Sequence, residues 1–187
     1  ICVPSGNFGN ITAGLFAQRM GLPIMNFIAA NNANDIFYNY LLSGIYSPKA
    51  SIQTIANAMD VGDPSNFARI LDLYKSSHAE ICNHISGATY SDDEIAATMK
   101  KCYEQTGYVL DPHGACGYQA LKDNLKEGET GVFLETAHPA KFKEKVDAIL
   151  STDIEIPTRL ADFMKGKKQS LEMAADFSAF KQFLLSV

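Results

Sequence analysis

The residues best suited to chemistry open the chain: Ser5-Gly6-Asn7-Phe8-Gly9-Asn10. Two glycines three residues apart frame a polar turn, an apolar run stops before it at Pro4, and from Ile11 to Met20 the apolar spacing is helical. A strand, a tight loop and a helix start in that order turn several backbone N–H groups toward one point. The positive end of the helix dipole faces the same point, so an anion, typically a phosphate, is the natural occupant. Two later turns carry acid–base and hydroxyl side chains, Asp111-Pro112-His113-Gly114 and Thr136-Ala137-His138-Pro139. The plainer readings are that Thr136 caps a helix and that His138 satisfies backbone groups at a helix start. Asn34 and Asp35 end a cap-rich loop after a second strand and would border whatever the first loop binds.

Other chemistries lack their residues. No G-K-[ST] places a lysine on phosphates, Gly6, Gly9 and Gly14 do not have the dinucleotide-binding spacing, and no Ser or Cys occupies a G-x-S-x-G elbow. His78, Cys82 and His84 suggest a metal because i and i+4 share a helix face. A fourth ligand is missing, core packing and a helix end account for all three, and no metal is expected. Lys122-Asp123 falls mid-helix between Leu121 and Leu125 and reads as a solvent-facing pair.

Composition narrows the class further. A net charge of -5, with the 16 Lys and Arg scattered, argues against a nucleic-acid surface, and Lys165-Gly166-Lys167-Lys168 reads as a solvated helix end. No apolar run approaches the roughly twenty residues of a membrane span, and no signal peptide is visible. The expectation is a cytoplasmic protein without a membrane partner. Its four cysteines, Cys2, Cys82, Cys102 and Cys116, include no C-x-x-C and are expected to be reduced thiols. The chain begins without Met, inside what reads as a buried strand, so its N-terminus is expected to be an internal cut.

The elements that must position these turns follow from periodicity and punctuation. Gly21 and Pro23 end the first helix, and Ile24 to Ala29 reads as the next strand. Ile36, Phe37, Tyr40 and Leu41 keep helical spacing up to Gly44, and Gly44 to Asp60 reads as a long connection. Asp63-Pro64 opens one helix whose face runs through Phe67, Ile70, Leu71, Tyr74, His78 and Ile81. Ser91-Asp92-Asp93-Glu94 is a capping box for a helix through Ile95, Met99, Cys102 and Tyr103 that Gly107 stops. Tyr108 to Leu110 and Gly131 to Glu135 read as strands, Ala115 to Leu125 and Ala140 to Leu150 as helices. Ile154 to Pro157 is strand-like, and an amphipathic helix through Phe177, Phe180, Phe183 and Leu184 follows.

Strand, polar turn and helix thus recur three times, and in a parallel sheet those turns gather on one edge. The expected fold is α/β: a three-layer αβα sandwich with a mainly parallel sheet, plus a C-terminal helical tail. Residues 1–152 form the α/β domain and residues 153–187 a docking tail.

Four segments in order resemble the threonine synthase family: Val3 to Asn10, Ala58-Met59-Asp60 with Pro64-Ser65-Asn66-Phe67, Asp111-Pro112-His113, and Thr136-Ala137-His138-Pro139-Ala140-Lys141-Phe142. The resemblance implies a pyridoxal-phosphate enzyme of the tryptophan-synthase-β type, here its C-terminal part. It implies a lyase of amino-acid biosynthesis, which converts O-phospho-L-homoserine and water to L-threonine and phosphate. Ser5, Gly6, Asn7, Phe8, Gly9 and Asn10 would form the cup for the pyridoxal 5'-phosphate phosphate group, and Thr136 would set its hydroxyl against the pyridine nitrogen. Asn34, Asp35 and His113 would neighbour substrate or cofactor. The family's Schiff-base lysine, in a Lys-Asp motif before the glycine loop, has no counterpart in this chain. The chain is therefore expected to need the N-terminal part of the same enzyme as its partner, to be inactive alone and not to retain the cofactor covalently. Another lyase of the same cofactor and fold, and a non-catalytic phosphate-binding module, are the alternative readings.

Overall fold

The computed structural model describes residues 1–186 and divides into two compact units, Ile1–Ile154 and Glu155–Val187. In the first unit, β1 (Cys2–Pro4), β2 (Phe27–Asn31) and β3 (Ile85–Thr89) form a parallel sheet in the order β1-β2-β3. Cys2 lies beside Ile28, and Phe27 beside Ile85. On the outer side of β1, the Cys2 N–H donates to Val132 O at 2.7 Å and the Leu134 N–H donates to Cys2 O at 3.0 Å, making a single parallel bridge at Phe133.

Alternation along the strands divides the apolar residues between two faces. Val3, Phe27, Ala29 and Ile85 pack against α1 (Gly9–Arg19), α2 (Ile36–Ser43), α3 (Phe67–Leu73) and α4 (His78–His84), with Ile11, Leu15, Phe37, Ile70 and Ile81 buried there. Cys2, Ile28 and Ala30 face α5 (Asp92–Thr106), α6 (Pro112–Asn124) and α7 (Lys143–Leu150), with Met99, Cys116 and Val146 buried there. Helices cover both faces, which is why every residue of β1 and β2 is buried and no polar-out alternation shows in their sequence. The fold is the expected α/β sandwich with a parallel sheet.

Several boundaries differ from the sequence reading, each for a local reason. The second strand begins at Phe27 rather than Ile24 and runs on into Asn31, a polar residue that stays in register because its side-chain amide donates to Ser5 O at 2.8 Å. The helix expected after Pro64 is two helices. Lys75 and Ser76 both adopt positive φ, and Ser77 caps a new start by accepting from the Glu80 N–H. β3, Ile85-Ser86-Gly87-Ala88-Thr89, has no apolar run to betray it. Its Gly87 faces the Leu41 and Tyr38 side chains so closely that a Cβ would stand 2.9 Å from Leu41. Tyr108 to Leu110 and Ile154 to Pro157 are not strands, and Gly131 to Glu135 contributes only the bridge at Phe133. The helix after His138 starts as a 3-10 turn, Pro139–Phe142, before α7. The capping box at Ser91 and Glu94 forms, and Gly44 and Gly107 end their helices in the left-handed conformation.

The second unit holds α8 (Thr158–Met164) and α9 (Phe177–Ser186), and neither contains a buried residue. Among the described residues no helix is long and apolar enough to cross a membrane.

Candidate functional site

The turn after β1 is held by contacts that fix its backbone, while its N–H groups after Ser5 find no acceptor among the described residues. Ser5 is buried: its N–H donates to Ala30 O at 2.8 Å, and its hydroxyl donates to Val3 O at 2.8 Å. Gly6 lies so close to the neighbouring chain that a Cβ would stand 2.7 Å from Met59 Cα and 2.8 Å from Ala58 O, so only glycine fits. Asn7 Oδ1 accepts from the Ser65 N–H at 2.6 Å, and Asn7 O accepts from Asn66 Nδ2 at 2.7 Å, which ties the turn to the loop before α3.

Phe8 has φ 61°, a conformation that costs a non-glycine residue about 1–2 kcal/mol. Its ring is buried, with its centroid 4.6 Å from that of Phe37, and that burial offsets the strain. Phe8 thereby caps α1, and the Thr12 N–H returns to Phe8 O at 3.1 Å. Among the described residues no acceptor meets the N–H groups of Gly6 to Ile11. They stand at the positive end of an eleven-residue helix.

Pro4 to Ile11 line a cleft of about 300 Å³, joined there by Ala58, Met59, His113 and Thr136. All three polar turns that the strand pattern placed on one edge therefore contribute to one space. His113 is buried and doubly held: Nε2 accepts from the Ala58 N–H at 3.1 Å, and Nδ1 lies 2.5 Å from Asp111 Oδ1. An acceptor role at Nε2 puts the proton on Nδ1, donated to Asp111. Phe142 closes over the ring, with centroids 4.7 Å apart.

Behind the histidine lies a second carboxyl. Glu135 Oε1 accepts from the Asp111 N–H at 3.2 Å, and the carboxyl sits so tightly on Gly114 that a Cβ there would be 2.0 Å from Glu135 Oε2. Burial, then the hydrogen bond with Asp111, pushes the Glu135 carboxyl up to about 8. Burial also acts to raise Asp111, but the hydrogen bonds from His113 and Glu135 outweigh it and hold Asp111 below the ordinary aspartate value.

The other predicted residues lie elsewhere. Asn34 donates to Asn32 Oδ1, Ile52 O and Asp60 Oδ1, and Asp35 accepts from Lys49 Nζ at 2.8 Å. The structure brings neither into the cleft. Their loop serves it indirectly. Asn32, buried, donates to Thr54 Oγ1, Ala56 O and Asp60 Oδ1, and so fastens the 3-10 turn Asn57–Met59 that forms the opposite wall. His138 caps that second 3-10 turn, its Nδ1 accepting from the Ala140 N–H at 3.1 Å. His78 turns Nε2 to the carbonyls of Tyr40 and Leu41, and His84 turns Nδ1 to Glu80 O. Asp123 is not simply solvated, since it accepts from the Tyr90 hydroxyl at 2.7 Å.

Ala58, Met59 and Glu135 are the residues the sequence did not assign to the site. Ala58 and Met59 act through backbone, which has no side-chain signature. Glu135 closes an apolar run, Gly131 to Glu135, and nothing in its neighbours signals a partner.

Comparison with known proteins matches this architecture to a family. Residues 1–136 match the family described as pyridoxal-phosphate dependent enzyme, and residues 114–184 match the C-terminal region of threonine synthase. The threonine synthase of Haemophilus influenzae is 46% identical over 99% of this chain, which covers 43% of that protein's length. The crystal structure of threonine synthase from Escherichia coli superposes with a TM-score of 0.84 at 42% identity, covering 98% of this chain and 42% of that one. The structure of pyridoxal-phosphate-bound threonine synthase from Brucella melitensis gives the same TM-score at 32% identity, with 98% and 45% covered. The chain thus spans less than half the length of the proteins it matches. With the glycine turn, the opposite wall and Thr136 all meeting in one cleft, the chain belongs to the family of pyridoxal-phosphate dependent enzymes.

Proposed function

We propose that the turn Ser5 to Asn10 holds the phosphate of pyridoxal phosphate, and that the complete protein converts O-phospho-L-homoserine and water to L-threonine and phosphate. The observation that carries this reading is the cleft itself. A row of unpaired N–H groups at a helix start, walled by a backbone that tolerates only glycine opposite, fits a phosphate, and Thr136 stands in the same space. When bound, the cofactor supplies an electron sink for the carbon that bears the substrate amino group.

The chain's own residues fix where that sink lies. The N–H groups of Gly6 to Ile11 and the α1 dipole hold the phosphate end. The Thr136 hydroxyl, which lines the same cleft, would face the ring nitrogen, and as a neutral group it would favour protonation there less than a carboxylate, making a milder sink. His113 has both ring nitrogens engaged, by Ala58 and Asp111, so it holds a wall rather than shuttling a proton. Among the described residues no lysine lines the cleft, and we assign the lysine linkage to the protein outside this chain. Residues 153–187 are a tail that docks on the remainder of the enzyme, and the enzyme acts in the cytoplasm.

The test is made on the complete protein. With O-phospho-L-homoserine it should release threonine and inorganic phosphate in equal amounts; release of a keto acid in their place overturns the reaction. Replacing Asn7 with Ala removes the hydrogen bonds that its Oδ1 accepts from the Ser65 N–H and hydroxyl, unties the cup from Ser65 and should weaken cofactor retention about tenfold. Unchanged retention removes the cup assignment. Thr136→Asp should shift the bound cofactor's absorbance, and an unchanged spectrum counts against the ring-nitrogen contact.

A further inference from the structure

The interior face of the cleft leaves two polar atoms unexplained. Asp111 Oδ2 and Glu135 Oε2 are both buried and neither finds a partner, although Asp111 is fully buried and its N–H already binds the other Glu135 oxygen. Two buried carboxylates side by side would be costly, and one proton shared between them removes both orphans at once. That proton completes a chain in which the Glu135 carboxyl meets that of Asp111, Asp111 meets His113, and His113 accepts from the Ala58 N–H. Ala58 and Met59 are the backbone against which Gly6 packs.

We propose that Glu135, protonated and paired with Asp111, is a positioning residue that sets the tautomer of His113 and thereby holds the Ala58–Met59 wall against the anion cup. The inference rests on the cup holding the cofactor phosphate. Asp111 as carboxylate needs the Nδ1 proton of His113, which leaves Nε2 as the acceptor for Ala58. Loss of the Glu135 proton puts a second negative charge beside Asp111, and repulsion between the two carboxylates displaces Asp111 and, with it, the His113 ring whose Nε2 faces Ala58. The Ala58 N–H then loses its partner and the wall loosens.

The titratable groups facing this pair are His113 and Cys116 on α6 and Tyr108 before it. Burial and the Asp111 charge raise the Cys116 thiol, and burial followed by Glu135 and Asp111 raises the Tyr108 hydroxyl, so both remain neutral. Among the described residues no lysine or arginine shifts either carboxyl, and the hydrogen bond from His113 is what favours Asp111 as the carboxylate.

Two measurements on the complete protein decide it. In a carbon-13 titration of labelled glutamate carboxyls, one resonance should titrate near pH 8 and disappear in Glu135→Gln; the same resonance titrating near the ordinary value of 4.5 overturns the proposal, and this wild-type reading needs no variant to fold. The second probe is pyridoxine phosphate, which has the ring and phosphate but no aldehyde. Its Kd should rise about tenfold between about pH 7 and pH 9 in the wild type, and by less than about twofold in Glu135→Gln, whose amide still donates to Asp111 but cannot ionise. Parallel rises in both proteins overturn the positioning role alone. Absence of binding at pH 7 overturns the cup assignment and this inference with it.

Discussion

At the scale of single residues, the cleft is defined by backbone proximity more than by side-chain reach. Gly6 is the clearest case, because its missing Cβ is the space occupied by Met59 Cα and Ala58 O. Gly6→Ala must displace one wall or the other. The expected result is a loss of about 2–3 kcal/mol in unfolding free energy, with cofactor affinity reduced by at least about tenfold, measured by urea denaturation and equilibrium dialysis of the complete protein. Gly9, by contrast, would meet only Asn66 Nδ2 at an ordinary 3.8 Å, so the two glycines of the turn are not equivalent. The sequence showed both glycines and the polar turn, and from them the anion site. It could not show that Gly6 answers to Ala58, or that Glu135 answers to Asp111, because those pairings link positions more than twenty residues apart through contacts that no local pattern records.

Among the elements, what was legible had a local cause. Capping residues, glycine stops and the start of α1 each depend on neighbours within one helical turn, and the Ser91–Glu94 box and the Gly44 and Gly107 stops formed where the spacing placed them. What was missed had a tertiary cause. β3 is a strand because Ile85 and its neighbours pair with β2, not because small residues such as Ser86, Gly87 and Ala88 favour it. The break between α3 and α4 likewise has no glycine or proline to announce it. Lys75 and Ser76 take φ 50° and 57° one after the other, held by the Ser76 N–H to Leu71 O bond at 2.7 Å. That strain is local and exposed at Lys75. Lys75→Gly should therefore stabilise the fold by about 0.5–1 kcal/mol, read as an increase in Tm of roughly 1–4 °C. A lower Tm would mean that the lysine side chain holds the break.

For the whole molecule, the two units differ in how they are held. Residues 1–154 carry both apolar clusters, one on each face of the sheet, whereas α8 and α9 bury nothing within their own unit and expose Phe163, Phe177 and Leu185. The first unit should therefore stand without the second. A chain ending after Ile154 should keep the circular-dichroism signature and cooperative melting of residues 1–154, and collapse of that transition on truncation would show that the tail contributes to the core.

The bridge between Cys2 and the Val132–Leu134 segment sets a timetable for synthesis. β1 and the cup leave the ribosome well ahead of the segment that closes them, and the outer edge of β1 waits for Leu134, 132 residues after Cys2. At ~5–20 residues per second the nascent chain carries an open strand edge for on the order of ten seconds. An open, apolar edge invites pairing with another chain. A chain stopped at Glu129 should accordingly accumulate in the insoluble fraction while one stopped at Ile154 stays soluble, so the strand that carries the cup is closed long after it is made.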